Sequence, residues 1–335
     1  MAETMRAWQA QTPGAPFVFT ELPVPEPKPN QVRIKVHACG VCGGDAIARH
    51  GLMGTRLPRV PGHEIAGVVD AVGEAVTMWS AGDRVGVGWS GGVDFTCEYC
   101  RRGDFTNCVN RTIVSSSYDG GYADYLVAPQ DAVARLPEEL DFAEAAPLMC
   151  AGVTAFNGLR HSTAGPGDLV AINGVGGVGH LAVLYAAKMG FRTVAMNRGS
   201  AKAEMAAQLG AHEYIDTTAT DAAERLRAMG GAAVIYDTTA RANLQAEIFH
   251  GLRPNGQLIV VEGTDAIGVN GHDLSTWRQE IRGWYSGVAR DSEDALNFAV
   301  LQNIRAVIEE HPLEDAEKAF ENMNEARMRS VLVLR

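Results

Sequence analysis

The chain has no apolar run long enough to span a bilayer. Its first residues, MAETMRAWQA, lack the basic and apolar regions of a secretory signal. These absences set the expectation of a cytoplasmic protein with no membrane partner. Positive charge is in short supply: 29 Lys and Arg stand against 40 Asp and Glu, a formal net charge of -11. A nucleic-acid partner requires a basic face that displaces counterions from phosphate, so that function class is excluded. Low-complexity tracts and internal repeats are also missing. Cysteine is sparse, with 6 in 335 residues. Unpaired thiols at metal spacing suit a reducing compartment better than a disulfide framework does. With 46% apolar and 21% charged residues the composition is that of an ordinary globular protein, and the length predicts two domains.

What is present is a particular distribution of side chains that bind metal. Asp94, Cys97, Cys100 and Cys108 read D-x2-C-x2-C-x7-C, four potential ligands within one short loop. Cys42, His63 and Cys150 form a second set, far apart in sequence. Zinc takes sulfur, imidazole nitrogen and carboxylate oxygen tetrahedrally; four protein ligands close a structural site, and three leave a position for water or substrate. The first set therefore predicts a structural zinc and the second a catalytic one, two per chain. For the Asp94 loop the alternative is a loop that folds without metal, since only three of its four potential ligands are thiolates. Cys39 belongs to neither set and reads as a small buried apolar residue. His37, His161, His180 and His212 read as residues making local hydrogen bonds or lying on the surface.

Prolines at 13, 16, 23, 25, 27 and 29 disfavour helix in the opening segment, after which QVRIKVHACG alternates like a strand. Up to about residue 135 short apolar runs are punctuated by Gly and Pro, the pattern of a region rich in strands and loops. From Leu169 the runs LVAIN, TVAMN, AAVIYD and QLIVVE alternate with helical stretches, which predicts a mainly parallel sheet. A helical segment and the strand-like SVLVLR follow IRGWYSG.

The turn Gly174-Val175-Gly176-Gly177-Val178-Gly179 follows LVAIN and opens an apolar helix. Glycines there allow a tight turn and close approach to a pyrophosphate, and the helix N-terminus supplies free N–H groups. The next strand ends at Asn197-Arg198, where a site for NAD usually carries an acid for the ribose hydroxyls. A neutral amide followed by arginine suits a 2'-phosphate, so the expected cofactor is NADP(H) in preference to NAD(H). Lys202 completes the candidate cofactor set. The alternative for Arg198 is a solvated loop residue.

An ordered series now runs along the chain: Cys42-Gly-Gly-Asp45, Gly62-His63-Glu64-x2-Gly67-x5-Gly73, the cysteine loop, Cys150-Ala-Gly-Val-Thr154, Gly174 to Gly179, and Arg329. In this series the chain closely resembles the zinc-containing medium-chain alcohol dehydrogenases over essentially its full length. The resemblance implies an α/β fold in which a Rossmann doubly wound parallel sheet, residues 152–288, is inserted in a GroES-like mainly-β catalytic domain, residues 1–151 plus 289–335. It implies that Cys42, His63 and Cys150 hold the catalytic zinc, with Glu64 a transient ligand and Asp45 supporting the set. Thr154 would lie near the nicotinamide, Trp89 would line the substrate pocket, and Arg329 would meet the pyrophosphate. For Glu64 the alternative is a buried carboxylate paired with a cation; for Trp89 it is plain core. A homodimer or homotetramer and a small alcohol or carbonyl substrate are also implied.

One departure from the family lies at the chemistry. Relatives commonly carry Ser or Thr two residues after the first zinc-binding cysteine and often His three residues further on, to pass the alcohol proton to solvent; here those positions are Gly44 and Ile47. Neither side chain transfers a proton, which leaves water or His50 for that task. The expected function is zinc-dependent, NADP(H)-linked interconversion of alcohols with aldehydes or ketones. Two alternatives stay open: reduction of an iminium or a conjugated alkene, which the missing relay suggests, and a cofactor-binding protein without catalysis.

Overall fold

The computed structural model describes residues 3–263, 265–323 and 328–335. Contacts divide the chain into two compact units, Met1–Val153 with Gly287–Arg335, and Thr154–Ser286.

The first unit is built on strands whose apolar residues alternate. In Gln31–Gly40 the side chains of Val32, Ile34 and Val36 are buried while Arg33, Lys35 and His37 are more exposed, the two-residue period of a strand with one face on a core, and burial becomes continuous from Ala38. This strand pairs antiparallel with Ile65–Val72 and Tyr125–Pro129, and Arg84–Val87 and Val133–Arg135 extend the sheet beyond Ile65–Val72. On its other side Arg329–Val333 joins antiparallel, with Val331 opposite Gly40, and carries Ile308–Pro312 in parallel. A separate hairpin pairs Thr4–Gln9 with Val18–Pro23. The core gathers Ile34, Val69, Val85, Leu126 and Leu332 with aromatic residues such as Tyr122 and Phe17.

In the second unit six described strands form one parallel sheet in the order Glu213–Asp216, Arg192–Asn197, Leu169–Asn173, Ala232–Asp237, Leu252–Val260, Glu280–Gly283. Leu169–Asn173 and Ala232–Asp237 are buried at every position, which is why they read as continuous apolar runs in place of alternating ones. The order reverses at Leu169–Asn173, the topological switch point outside whose carboxyl end α/β sheets bind ligands. No described helix is long and apolar enough to cross a membrane.

Candidate active site

Chain turns at the ends of the first unit's strands bring the scattered ligand set together. Cys42 follows Gln31–Gly40 and opens the turn Gly43–Asp45. His63 and Glu64 immediately precede Ile65–Val72, and Gly40 N–H donates to the Glu64 carbonyl at 2.9 Å, which ties the two strand ends side by side. Cys150 lies between the turn Ala146–Met149 and the helix Ala151–Arg160. One ligand atom from each of Cys42, His63, Glu64 and Cys150 falls within 4.8 Å of all the others.

Asp45 organises this set. Its Oδ1 bonds His63 Nδ1 at 2.8 Å and accepts Gly62 N–H at 3.1 Å. Its Oδ2 accepts Cys42 N–H at 3.1 Å and the Tyr122 hydroxyl at 2.9 Å. With Nδ1 engaged, His63 presents Nε2, a buried atom with no hydrogen-bond partner. Burial opposes charge on His63, but the Asp45 carboxylate and the Cys42 sulfur outweigh it and hold the imidazole above its ordinary value. The thiol of Cys150 hydrogen-bonds Cys42 and depresses the Cys42 pKa against the opposing effect of burial, while Cys150 is pushed up.

Glu64 is fully buried and its Oε1 pairs with Arg329 Nη2, so the nearby cation expected from the sequence is Arg329. Burial pushes Glu64 up to about 8 even against that guanidinium. Its Oε2 is buried without a hydrogen-bond partner, and one of the Glu64 carboxylate oxygens lies within 4.8 Å of the other ligand atoms. Two thiols, an imidazole nitrogen aimed by a carboxylate, and a second buried carboxylate oxygen are a donor set that fits zinc. The ring of Trp89 stands edge-on to His63, with centroids 4.9 Å apart and planes at 86°. Ile47 is half-buried on the helix Ala46–His50; His50 ends that helix exposed.

The compact set also assembles, with one atom each from Asp94, Cys97, Cys100 and Cys108 within 4.8 Å of one another. Asp94 Oδ1 accepts the N–H groups of Thr96 at 2.9 Å and Cys97 at 3.0 Å, and Oδ2 accepts the Asn110 amide at 2.6 Å. The Cys97 N–H, the Asn110 amide and the Thr96 N–H, in that order, hold this carboxyl well below the usual range, so it is ionised and still faces the thiols. Three cysteines and one carboxylate fit a closed zinc site.

In the second unit Gly174, at φ +89°, turns the chain from Leu169–Asn173 toward the helix Gly179–Lys188. A Cβ on Gly179 would lie 1.7 Å from the Gly174 carbonyl oxygen, so only glycine lets the helix start this close to the turn. Gly176, Gly177 and Val178 complete the turn, and Thr238 Oγ1 donates to the Asn173 and Gly174 carbonyls at 3.0 Å each. Asn197 Oδ1 accepts Val175 N–H at 3.3 Å, and Lys202 Nζ donates to the Val175 carbonyl at 2.6 Å. Both residues therefore border the glycine turn. Burial pushes the Lys202 ammonium below its ordinary pKa. Arg198 is exposed, with no ion pair among the described residues. Thr154 is buried, and its carbonyl accepts the Tyr236 hydroxyl at 2.7 Å.

Two family models match: the alcohol dehydrogenase GroES-like domain over residues 28–138 and the zinc-binding dehydrogenase domain over residues 177–300. The chain is 44% identical over 323 residues to the alcohol dehydrogenase patD of Penicillium expansum, a match covering 96% of this chain and 95% of that protein. To an alcohol dehydrogenase of Geobacillus stearothermophilus it is 35% identical, over 96% of both chains. The chain belongs to the zinc-binding medium-chain alcohol dehydrogenase family. Among solved structures, the cinnamyl alcohol dehydrogenase SbCAD4 of Sorghum bicolor matches with a TM-score of 0.89 at 29% identity, over 99% of this chain and 98% of that one. Membership of the medium-chain alcohol dehydrogenases makes the chain an oxidoreductase with a GroES-like domain and a Rossmann sheet.

Sequence reading alone did not single out Tyr122, whose hydroxyl helps to fix Asp45, because nothing local distinguishes it from any core tyrosine. It also passed over the buried Asp237. That carboxylate accepts from Asn173 Nδ2 at 2.6 Å, Gln245 Nε2 at 2.7 Å and Thr239 Oγ1 at 2.9 Å. An aspartate closing an apolar strand run is the one signal that could have found it.

Proposed function

We infer that this chain is a zinc-dependent NADP(H) oxidoreductase that interconverts alcohols with aldehydes or ketones. The observation that carries the reading is the buried His63 Nε2, left without a partner and aimed by Asp45 into a set with Cys42, Cys150 and Glu64. When bound, zinc supplies Lewis-acid polarisation of the substrate oxygen and the nicotinamide supplies hydride exchange. The chain's own residues do the positioning. Asp45 keeps the imidazole in the tautomer that leaves Nε2 free, and Arg329 compensates the charge of Glu64. Asn197 and Arg198 offer a 2'-phosphate an amide and a guanidinium where a site for NAD usually carries an acid; the Asp216 carboxylate of the neighbouring strand is engaged by Gly199 N–H at 2.8 Å. Gly44 and Ile47 have no side-chain proton to transfer, which leaves water or His50 to exchange the substrate proton. A second zinc on Asp94, Cys97, Cys100 and Cys108, a homodimer or homotetramer and a cytoplasmic setting complete the reading.

The test is NADPH consumption by zinc-loaded protein given an aromatic α,β-unsaturated aldehyde, with the product identified. The allylic alcohol is expected. A saturated aldehyde would assign alkene reduction to the site instead, and absence of consumption across alcohols, carbonyls and enals would leave a cofactor-binding protein. Cys42→Ser should abolish turnover while NADPH affinity is kept.

A further inference from the structure

Asp237 is a fully buried carboxylate at the end of the strand Ala232–Asp237, in register with Asn173, the last residue before the glycine turn. Its Oδ1 accepts Asn173 Nδ2 at 2.6 Å and Thr239 Oγ1 at 2.9 Å, and its Oδ2 accepts Gln245 Nε2 at 2.7 Å from the helix Ala242–Phe249. None of the three donors is a cation. A buried carboxylate held only by neutral donors is costly to keep, so packing alone does not account for it. The residues after it press on the same turn. Thr238 N–H donates to the Asn173 carbonyl at 3.0 Å, and its hydroxyl reaches the Asn173 and Gly174 carbonyls. A Cβ on Gly174 would lie 2.7 Å from Thr238 Oγ1 and 2.9 Å from Thr239 Cγ2. On the other side the Met196 carbonyl accepts Gly174 N–H at 2.8 Å. Gly174 thus sits in a slot whose Thr238–Thr239 wall is anchored by Asp237.

We propose that Asp237 is a positioning residue for the dinucleotide: by bonding Asn173 and Thr239 with one oxygen it locks two neighbouring strand ends together, and so holds the N–H groups of the glycine turn where a pyrophosphate meets them. Gln245 fixes the other oxygen and with it the orientation of the carboxylate. This inference rests on the reading of the glycine turn as the site of a nicotinamide dinucleotide.

The experiment compares the parent with Asp237→Ala and Asp237→Asn, each zinc-loaded and held well below its unfolding midpoint. It reads Kd for NADPH and for NADH by titration, KM and kcat in turnover, and zinc retention. Asp237→Ala leaves buried amide donors unpaired beside the turn and should weaken the dinucleotide that the parent binds by about tenfold, a loss that appears in KM for that cofactor rather than in kcat. Zinc retention, a property of the other unit, should not change. Asp237→Asn keeps an oxygen for Asn173 and Thr239 while the Gln245 amide turns its own oxygen to the new NH2, so affinity should stay within about threefold of the parent. If Asp237→Ala does not fold, Asn173→Ala removes the donor through which the carboxylate reaches the turn and should give the same loss. A lowered midpoint with unchanged dinucleotide affinity, or equal losses in Asp237→Asn and Asp237→Ala, overturns the inference alone. A parent that binds neither dinucleotide overturns the reading of the turn, and the inference with it.

Discussion

Asp45 shows how much a single carboxylate can settle. Its two oxygens take four hydrogen bonds, from His63, Gly62, Cys42 and Tyr122, and so fix one ligand's tautomer and another's backbone at once. Asp45→Ala should weaken zinc retention by about 10- to 100-fold, the usual cost of losing a group that orients a metal-binding histidine, measured as chelator competition at fixed pH. Unchanged retention would mean that the two thiols alone set the affinity. On the proposed reading Arg198 carries the cofactor preference at the same scale. Arg198→Ala should raise KM for NADPH by about tenfold and leave that for NADH nearly unchanged, the signature of a lost charge-assisted contact to the 2'-phosphate. A parallel rise for both cofactors would remove Arg198 from the site.

At the scale of elements, the approach of the helix Gly179–Lys188 to the turn that precedes it has no slack. Gly179→Ala sets a methyl carbon against the Gly174 carbonyl, and the helix must retreat from the turn whose N–H groups it presents. The expected outcome is a loss of dinucleotide affinity together with about 1–3 kcal/mol of stability, read by cofactor titration and denaturant midpoint. Native affinity in the alanine variant would show that the turn tolerates the shift. The cysteine loop is the other local element. Asp94 is held ionised by its own loop's N–H groups and the Asn110 amide, and Asp94→Cys exchanges a carboxylate oxygen for the softer thiolate that zinc prefers. Slower zinc loss from that variant supports Asp94 as a ligand; identical loss and identical loop protection in hydrogen exchange would point to a loop that folds without metal.

On the scale of the molecule, the first unit is assembled from two pieces of chain that the second unit separates. Arg329–Val333 pairs with Gln31–Gly40, and its first residue reaches the buried Glu64 beside Cys42, His63 and Cys150. Arg329→Met should therefore destabilise the protein, by up to about 3–5 kcal/mol at a pH where Glu64 is ionised and by less where its raised pKa leaves it protonated. Glu64→Gln placed in the same protein should recover part of that loss, as read from urea unfolding followed by a probe in the first unit. If the single variant is as stable as the parent, Glu64 is neutralised by another route.

Much of this protein was legible from residue order alone. The cysteine loop is a local motif whose four ligands span fifteen residues of sequence, 94 to 108, so spacing suffices to group them. The glycine turn is likewise local, and the apolar runs around it announce a parallel sheet because strands buried on both faces lose their polar alternation. The set of Cys42, His63 and Cys150 was picked out by side-chain chemistry and supported by the family resemblance, since no spacing rule joins residues so far apart. Only the tertiary structure decided what faces what: that Tyr122 completes the shell of Asp45, that the partner of Glu64 is Arg329, and that Gly44 faces the Trp89 ring as well as His63. Those pairings cross 77, 265 and 45 positions of chain, as the residue numbers show, and are set by strand register and packing, which local pattern does not encode.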